Sequence, residues 1–298
     1  LIQPSFLQKN DTVAIVSTAR KITSSAIKPA INLLKSWGLT VEIGKTIGLE
    51  DNQFAGNDLE RTADFQQMLD NPNIKAIWCA RGGYGTVRII DKLDFTEFKK
   101  HPKWIIGYSD VTVLHSYLNN LGFQTLHATM PLDVEKNTKK ALETLKYCLF
   151  GKTIYYEIPT STENRLGKCS GELIGGNLSM FYSLLGSETS INTTGKILFI
   201  EDLDEYLYHL DRMLMNLKRN GYFNHLKGLI VGGMTDMHDN KIPFGKNAEE
   251  IILDITYKYD FPIVFNFPAG HLKDNQALVF GRNVELEVGE EKSSIKFK

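Results

Sequence analysis

The chain has 298 residues, 42% hydrophobic and 23% charged, with a formal net charge of −1. That composition belongs to a folded globular protein with room for two ordinary domains, not to a disordered chain. The near-neutral balance argues against nonspecific nucleic-acid binding and against adhesion to anionic lipid, so the expected partner is a small molecule.

Thr12 to Val16 reads as a buried strand, followed by a polar turn over Ser17 to Ser24. An amphipathic helix around Ala26 to Trp37 stops at Gly38, and Leu39 to Ile43 is the second strand. A helix near Asp58 to Leu69 ends before Asn71-Pro72. Ile74 to Ala80 and Lys103 to Tyr108 are the third and fourth strands, with helices expected over Thr86 to Leu93 and Val111 to Asn119. Apolar strands alternating with helices imply a mostly parallel sheet covered on both faces, with right-handed crossovers.

Residues 151–167 change character. Ile154 to Ile158 has the makings of one strand, but Pro159 to Asn164 is polar and turn-rich, so a linker is expected here. Alternation then resumes with Glu172 to Ile174, a helix over Asn177 to Leu185 and a strand over Lys196 to Ile200. A helix around His209 to Arg219, the run Leu229 to Val231, a helix over Ala248 to Lys258, and the runs Pro262 to Phe267 and Val284 to Val288 complete a second α/β unit with some antiparallel character. The expected division is 1–150 and 168–298.

Cys79, Cys148 and Cys169 are an odd set without CxxC spacing, which suggests neither a zinc site nor a disulfide framework. They read as free thiols in a reducing compartment. Leu1 to Phe6 shows no basic segment leading into an apolar one, and no apolar run approaches the roughly 20 residues of a membrane span. A cytoplasmic protein without membrane contact is expected.

In open α/β sheets, ligands gather beyond the carboxyl ends of the strands. Four apolar runs lead into polar groups there: Arg81-Gly82-Gly83-Tyr84-Gly85, Gly107-Tyr108-Ser109-Asp110, Glu201-Asp202 and Gly270-His271. A serine, a carboxylate and a histidine, each just past a strand, are the inventory for activated-serine catalysis. Each has a plainer use. Ser109 or Asp110 could simply cap the following helix, and Val111 stands where a GxSxG elbow would have glycine. The glycine-rich turn could present N–H groups to an oxyanion together with the N–H of Asp110, or could merely be a tight turn. GxGxxG and GxxxxGK[ST] are both absent, so no nucleotide cofactor is expected. The acidic run from Glu201 to Glu205 lacks the histidine spacing of a transition-metal site and otherwise reads as a solvated loop, so no metal is expected. Among the other histidines, His127 is the rival to His271, since it too follows a short apolar stretch.

Together with Gly175-Gly176-Asn177-Leu178, these motifs occur in an order that resembles the LD-carboxypeptidases, a family of muramoyltetrapeptide carboxypeptidases and microcin-immunity peptidases. The resemblance spans nearly the whole chain. It implies a Rossmann-like N-terminal domain with a parallel sheet, carrying Ser109 as nucleophile, and a mixed α/β C-terminal domain carrying Glu201 and His271. It also implies that the amides of Gly83 and Asp110 stabilise an oxyanion, that D-alanine is removed from a murein tetrapeptide, and that the protein is a homodimer. Arg81 is a candidate for the substrate carboxylate. The chain departs from the family's pattern at Ser17-Thr18, where Ser-Pro is frequent, and at Ala128-Thr129 after His127, where Gly-Pro is. Both departures bear on substrate fit. The microcin-immunity branch, acting on peptide-nucleotide antibiotics, and a two-domain binding protein without catalysis are the alternatives.

Overall fold

The computed structural model describes residues 1–298. Its first half lays down β1 (Thr12–Val16), α1 (Lys28–Ser36), β2 (Thr40–Ile43), α2 (Asp58–Asp70), β3 (Ile74–Cys79), α3 (Thr96–Lys100), β4 (Trp104–Gly107), α4 (Thr112–Asn120), β5 (Thr125–His127) and α5 (Lys139–Leu149). The second half continues with β6 (Tyr155–Pro159), β7 (Gly167–Asn177), α6 (Leu178–Leu184), β8 (Ile197–Leu203), α7 (Leu207–Arg219), β9 (Gly228–Thr235), α8 (Ala248–Thr256), β10 (Ile263–Val264), β11 (Leu278–Phe280), β12 (Asn283–Val288) and β13 (Lys292–Phe297). Helix starts follow their side chains: Asn57 with Glu60 closes a capping box on α2, and Asn247 with Glu250 does so on α8.

Two sheets result. The first has the order β11-β5-β4-β3-β1-β2, with β1 to β5 mutually parallel and β11 antiparallel on the edge. The second runs β10-β9-β8-β7-β12-β13-β6, parallel from β10 to β7 and antiparallel beyond. This is the expected α/β architecture, a Rossmann-like parallel sheet plus a mixed one. One apolar cluster containing Trp78, Trp104, Phe199, Phe267, Phe280 and Leu286 draws on both sheets, so the halves share a core.

Three stretches differ from expectation. Within 151–167, Tyr155–Pro159 is a sheet strand and not a linker: Tyr156 and Ile158 are buried while their neighbours face out, and β6 pairs with β13. The chain beyond 168 also returns to the first sheet, where Leu278 of β11 lies opposite His127 of β5. Thr86 to Leu93 forms two successive 3-10 turns instead of one helix, held at its start by a side chain described below.

Candidate active site

β4 ends at Gly107, Tyr108 is extended, and Ser109 has φ +63° at the head of a one-turn 3-10 helix that runs into α4. A left-handed non-glycine residue costs on the order of 1 kcal/mol and persists only where its surroundings impose it. Here the strain turns the hydroxyl out of the strand line, as at a nucleophile elbow. The first glycine of the elbow is kept for a packing reason. Val111 closes over Gly107, where a Cβ would stand 2.8 Å from Val111 Cγ2, so the small residue is needed before the serine. Neither Ser109 nor Asp110 caps α4, contrary to the simpler reading. Asp110 is fully buried, and its Oδ2 accepts the N–H of Thr86 at 2.9 Å, tying the serine turn to the glycine-rich turn.

Glu201 sits on β8 opposite Asn177 of β7, at the point where the pairing of β8 with β9 shifts register. Such a bulge re-aims a side chain. The fully buried Glu201 Oε2 accepts the ring Nδ1–H of His271 at 2.7 Å and the backbone N–H of His271 at 3.1 Å. His271 lies on the segment between β10 and β11 that crosses from the second sheet to the first. Its Nε2 stands 3.2 Å from Ser109 Oγ, and its ring meets Tyr108 edge-on with centroids 4.9 Å apart. Gly270 makes the approach possible, because a Cβ there would lie 2.6 Å from Glu201 Oε2. Burial pulls the His271 imidazolium down, but the charge of Glu201 and its hydrogen bond outweigh burial and raise the group above its ordinary value. This arrangement can take a proton from Ser109 and hold it.

The glycine-rich turn faces the serine. A Cβ on Gly82 would stand 3.0 Å from Ser109 Cβ and 3.4 Å from the Asp110 nitrogen, so a larger residue there would crowd the serine. Gly83 is exposed at the cleft mouth with φ +110°, and the stem of Arg20 lies across it. Arg81 also lines the cleft, its Nη1 donating to Lys21 O at 2.9 Å. The cleft has a volume of about 470 Å³ and includes Ser109, His271, Asn177 and Asp202.

The Gly175-Gly176-Asn177 motif locks the sheets together. The Asn177 N–H donates to Thr112 Oγ1 on α4 at 3.0 Å, and a Cβ on Gly176 would stand 2.7 Å from Thr112 Cγ2. Asp202 accepts Asn177 Nδ2 at 2.8 Å and the Ser179 N–H at 2.9 Å, and burial followed by the neighbouring Glu201 pushes it up to about 7. The rest of the acidic run is taken up locally: Asp204 pairs with His238 and Glu205 with His209, each at 2.5 Å.

Ser109, His271, Gly83 and Arg81 thus line one cleft, Glu201 and Asp110 are buried behind them in contact with His271 and the glycine-rich turn, and His127 is buried apart from both. That ring packs against Phe199 and Phe280, with centroids 5.1 and 5.5 Å away, and burial holds it well below the usual histidine range. Sequence reasoning did not single out Arg20 or Asp133, which also line the cleft, and named Tyr108 and Asp202 only as members of motifs. Arg20 follows the first strand, and that position was its only signal.

Residues 13–128 match the model of the LD-carboxypeptidase N-terminal domain, and residues 170–286 match that of the C-terminal domain. A probable murein peptide carboxypeptidase of Bacillus subtilis is 35% identical, over 99% of this chain and 94% of that protein. The murein tetrapeptide carboxypeptidase of Pseudomonas aeruginosa is 27% identical over 92% of each. The crystal structure of muramoyltetrapeptide carboxypeptidase from Oxalobacter formigenes superposes with a TM-score of 0.86 at 27% identity, covering 95% of this chain and 98% of that one. The microcin C7 self-immunity protein MccF shares the fold at 22% identity with a TM-score of 0.88, over 100% of this chain and 99% of that one.

Proposed function

The chain belongs to the LD-carboxypeptidase family of serine peptidases, and from that premise we propose that it removes the terminal D-alanine of murein tetrapeptides, with Ser109, His271 and Glu201 as its triad. The observation that carries this reading is the continuous hydrogen-bonded chain from Ser109 Oγ through the His271 ring to Glu201. Ser109 Oγ bonds to the scissile carbonyl carbon while its proton passes to His271 Nε2. Collapse of the tetrahedral intermediate breaks the C–N bond, and that proton leaves on the D-alanine amine. Water then attacks the acyl-enzyme, gives a proton to His271, and Ser109 recovers it as the tripeptide acid departs. Glu201 holds the tautomer that leaves Nε2 free to accept.

Backbone N–H groups of the glycine-rich turn and of Asp110 would receive the oxyanion, each worth about 2.7–4 kcal/mol by comparison with other donor removals. The contact of Gly82 with Ser109 supports this role for the turn. Two domains, 1–150 and 168–298, would meet at the cleft with β11 as a returning strand, and the two family matches support that division. A cytoplasmic homodimer completes the reading, with murein turnover products as substrate. The test is mass spectrometry of a murein tetrapeptide and its L-alanine epimer after incubation. Release of D-alanine with little release from the epimer is expected, because inverting the terminal centre moves either the carboxylate or the scissile carbonyl. Equal release from both would remove the LD assignment, and no release from either would remove the function.

A further inference from the structure

We propose that Arg20 and Arg81 act as a pair that grips the free α-carboxylate of the substrate's last residue and so restricts the site to chain ends. This rests on the peptidase reading above. A C-terminal residue carries its carboxylate within about one residue length, ~3.8 Å, of the scissile carbonyl. The cation that reads it must therefore adjoin the reacting serine. Arg20 and Arg81 both line the cleft that holds Ser109 and His271. Arg81 directly precedes Gly82, which abuts Ser109, and the stem of Arg20 crosses Gly83, with its Cγ 2.6 Å from where a Cβ would be. Both residues therefore line the same cleft as the reacting serine, on the side of the glycine-rich turn.

Neither is neutralised by an ion pair, and the Arg81 guanidinium and the Arg20 backbone are both held. Arg81 Nη1 donates to Lys21 O, the carbonyl next to Arg20, and Arg20 O accepts the Ser17 hydroxyl at 2.7 Å. The ion pairs made by arginine in this molecule belong to Arg61 and Arg88, which share Asp58. The acids that line the cleft are engaged elsewhere: Asp133 by the Tyr108 hydroxyl at 3.0 Å and Lys136 at 3.6 Å, Asp202 by Asn177 and Ser179, Asp204 by His238 and Glu205 by His209. Burial first, and then the charge of Arg20, destabilise the Arg81 cation. Two like charges kept adjacent and unpaired in a cleft are relieved by an anion, and planar guanidiniums match a carboxylate in two-pronged geometry. Ser17, which keeps the serine of the family's Ser-Pro pair, anchors the Arg20 backbone.

Binding on the Ser109→Ala background tests the pair without depending on turnover. Calorimetry would compare the tetrapeptide acid with its C-terminal amide, in Ser109→Ala alone and with Arg20→Ala, Arg20→Gln, Arg81→Ala or Arg81→Gln added. The acid should bind Ser109→Ala at least tenfold more tightly than the amide. Each arginine change should weaken the acid roughly 10- to 100-fold, as expected for losing a charged hydrogen bond, and leave the amide within threefold. Melting curves would exclude variants that do not fold. An acid preference that survives changes at both arginines, or that is missing in Ser109→Ala itself, overturns the proposal. Failure of the unaltered protein to cleave the tetrapeptide is a separate result and bears on the peptidase reading instead.

Discussion

Glu201 Oε2 accepts two hydrogen bonds from the same residue, one from the His271 ring at 2.7 Å and one from the His271 backbone at 3.1 Å. The double contact fixes where the imidazole is as well as which of its nitrogens carries the proton. A carboxylate in this position also stabilises the imidazolium, which is why the group is raised despite its burial.

The first prediction is the pH profile. His271 must be neutral to accept the Ser109 proton, so kcat/KM should climb as pH rises through the folded-state pKa, which lies above the ordinary value of 6.5. Glu201→Gln removes the charge and keeps the shape. Its ascending limb should move to lower pH while the plateau falls on the order of 10⁴-fold, as when an orienting acid is replaced by its amide elsewhere. The same linkage makes the His271–Glu201 pair a stabilising contact below the unfolded pKa, lost as pH rises through the folded one. Profiles of both forms over pH 5–9 decide it, and an unmoved limb would separate Glu201 from the base.

The second prediction separates chemistry from strain at Ser109. Ser109→Ala and His271→Ala should each abolish nearly all turnover, and the double variant should be little worse, because both residues serve one proton transfer. Position 109 has φ +63°, which glycine adopts without penalty. Ser109→Gly should therefore be more stable than Ser109→Ala by about 1 kcal/mol, with neither active. Denaturant midpoints measure the difference, and equal midpoints would mean that the turn is not strained.

The third prediction concerns Gly270. A Cβ there would come within 2.6 Å of Glu201 Oε2 and 2.7 Å of its Cγ, at a φ of +105°. Gly270→Ala must push the carboxylate away from His271. A displacement of about 1 Å at a catalytic group can cost on the order of 10²-fold, so kcat should fall by that much or more with KM little changed. Steady-state kinetics on the tetrapeptide read both constants. An unchanged kcat would show that Glu201 can retreat without consequence.

Ser109, Glu201 and His271, which the structure brings together, were legible because each follows an apolar run toward the ligand-binding edge. Other features depend on partners far along the chain. Asp110 looked like a helix cap because its bond to Thr86 spans 24 residues and is invisible to local pattern. β11 is three residues long and gains its place only by lying against β5, more than 140 residues earlier. β7 was read as three residues, because its first half, Gly167 to Gly171, has no apolar run, is half-buried to exposed and is held by pairing with β12. α5 was readable and was passed over, since its buried residues Ala141, Leu145, Cys148 and Leu149 follow helical spacing. Of the two arginines of the cleft, Arg81 carried that mark, since it follows the apolar run of the third strand, and Arg20 did not. An arginine after a strand is ordinary until the glycine beneath it is seen.

The last prediction concerns a residue outside the cleft. Arg61 is fully buried and donates to Thr18 O at 2.7 Å, Gly85 O at 2.9 Å and Gly56 O at 3.2 Å, with Asp58 as its ion-pair partner. Gly85 closes the turn that begins at Arg81, and Thr86 beyond it donates to Asp110 and shares a 2.8 Å hydroxyl contact with Thr18. Arg61 therefore pins the turn from behind, through carbonyls, while Asp110 pins it from the serine side. A lysine keeps the charge, but its single ammonium cannot span three carbonyls in a planar fork. Arg61→Lys should let the turn shift relative to Ser109, lowering kcat roughly 10- to 100-fold with KM within about threefold, because oxyanion donors act mainly in the transition state. Lys92→Ala serves as the control, since it removes an exposed partner of the same Asp58, 3.9 Å away, without touching the turn, and its kcat should stay within twofold. Kinetics beside melting curves distinguish positioning from simple loss of fold. A rise in KM at constant kcat would place Arg61 in substrate binding, and a loss of activity matched by the unfolded fraction would leave it a role in stability alone.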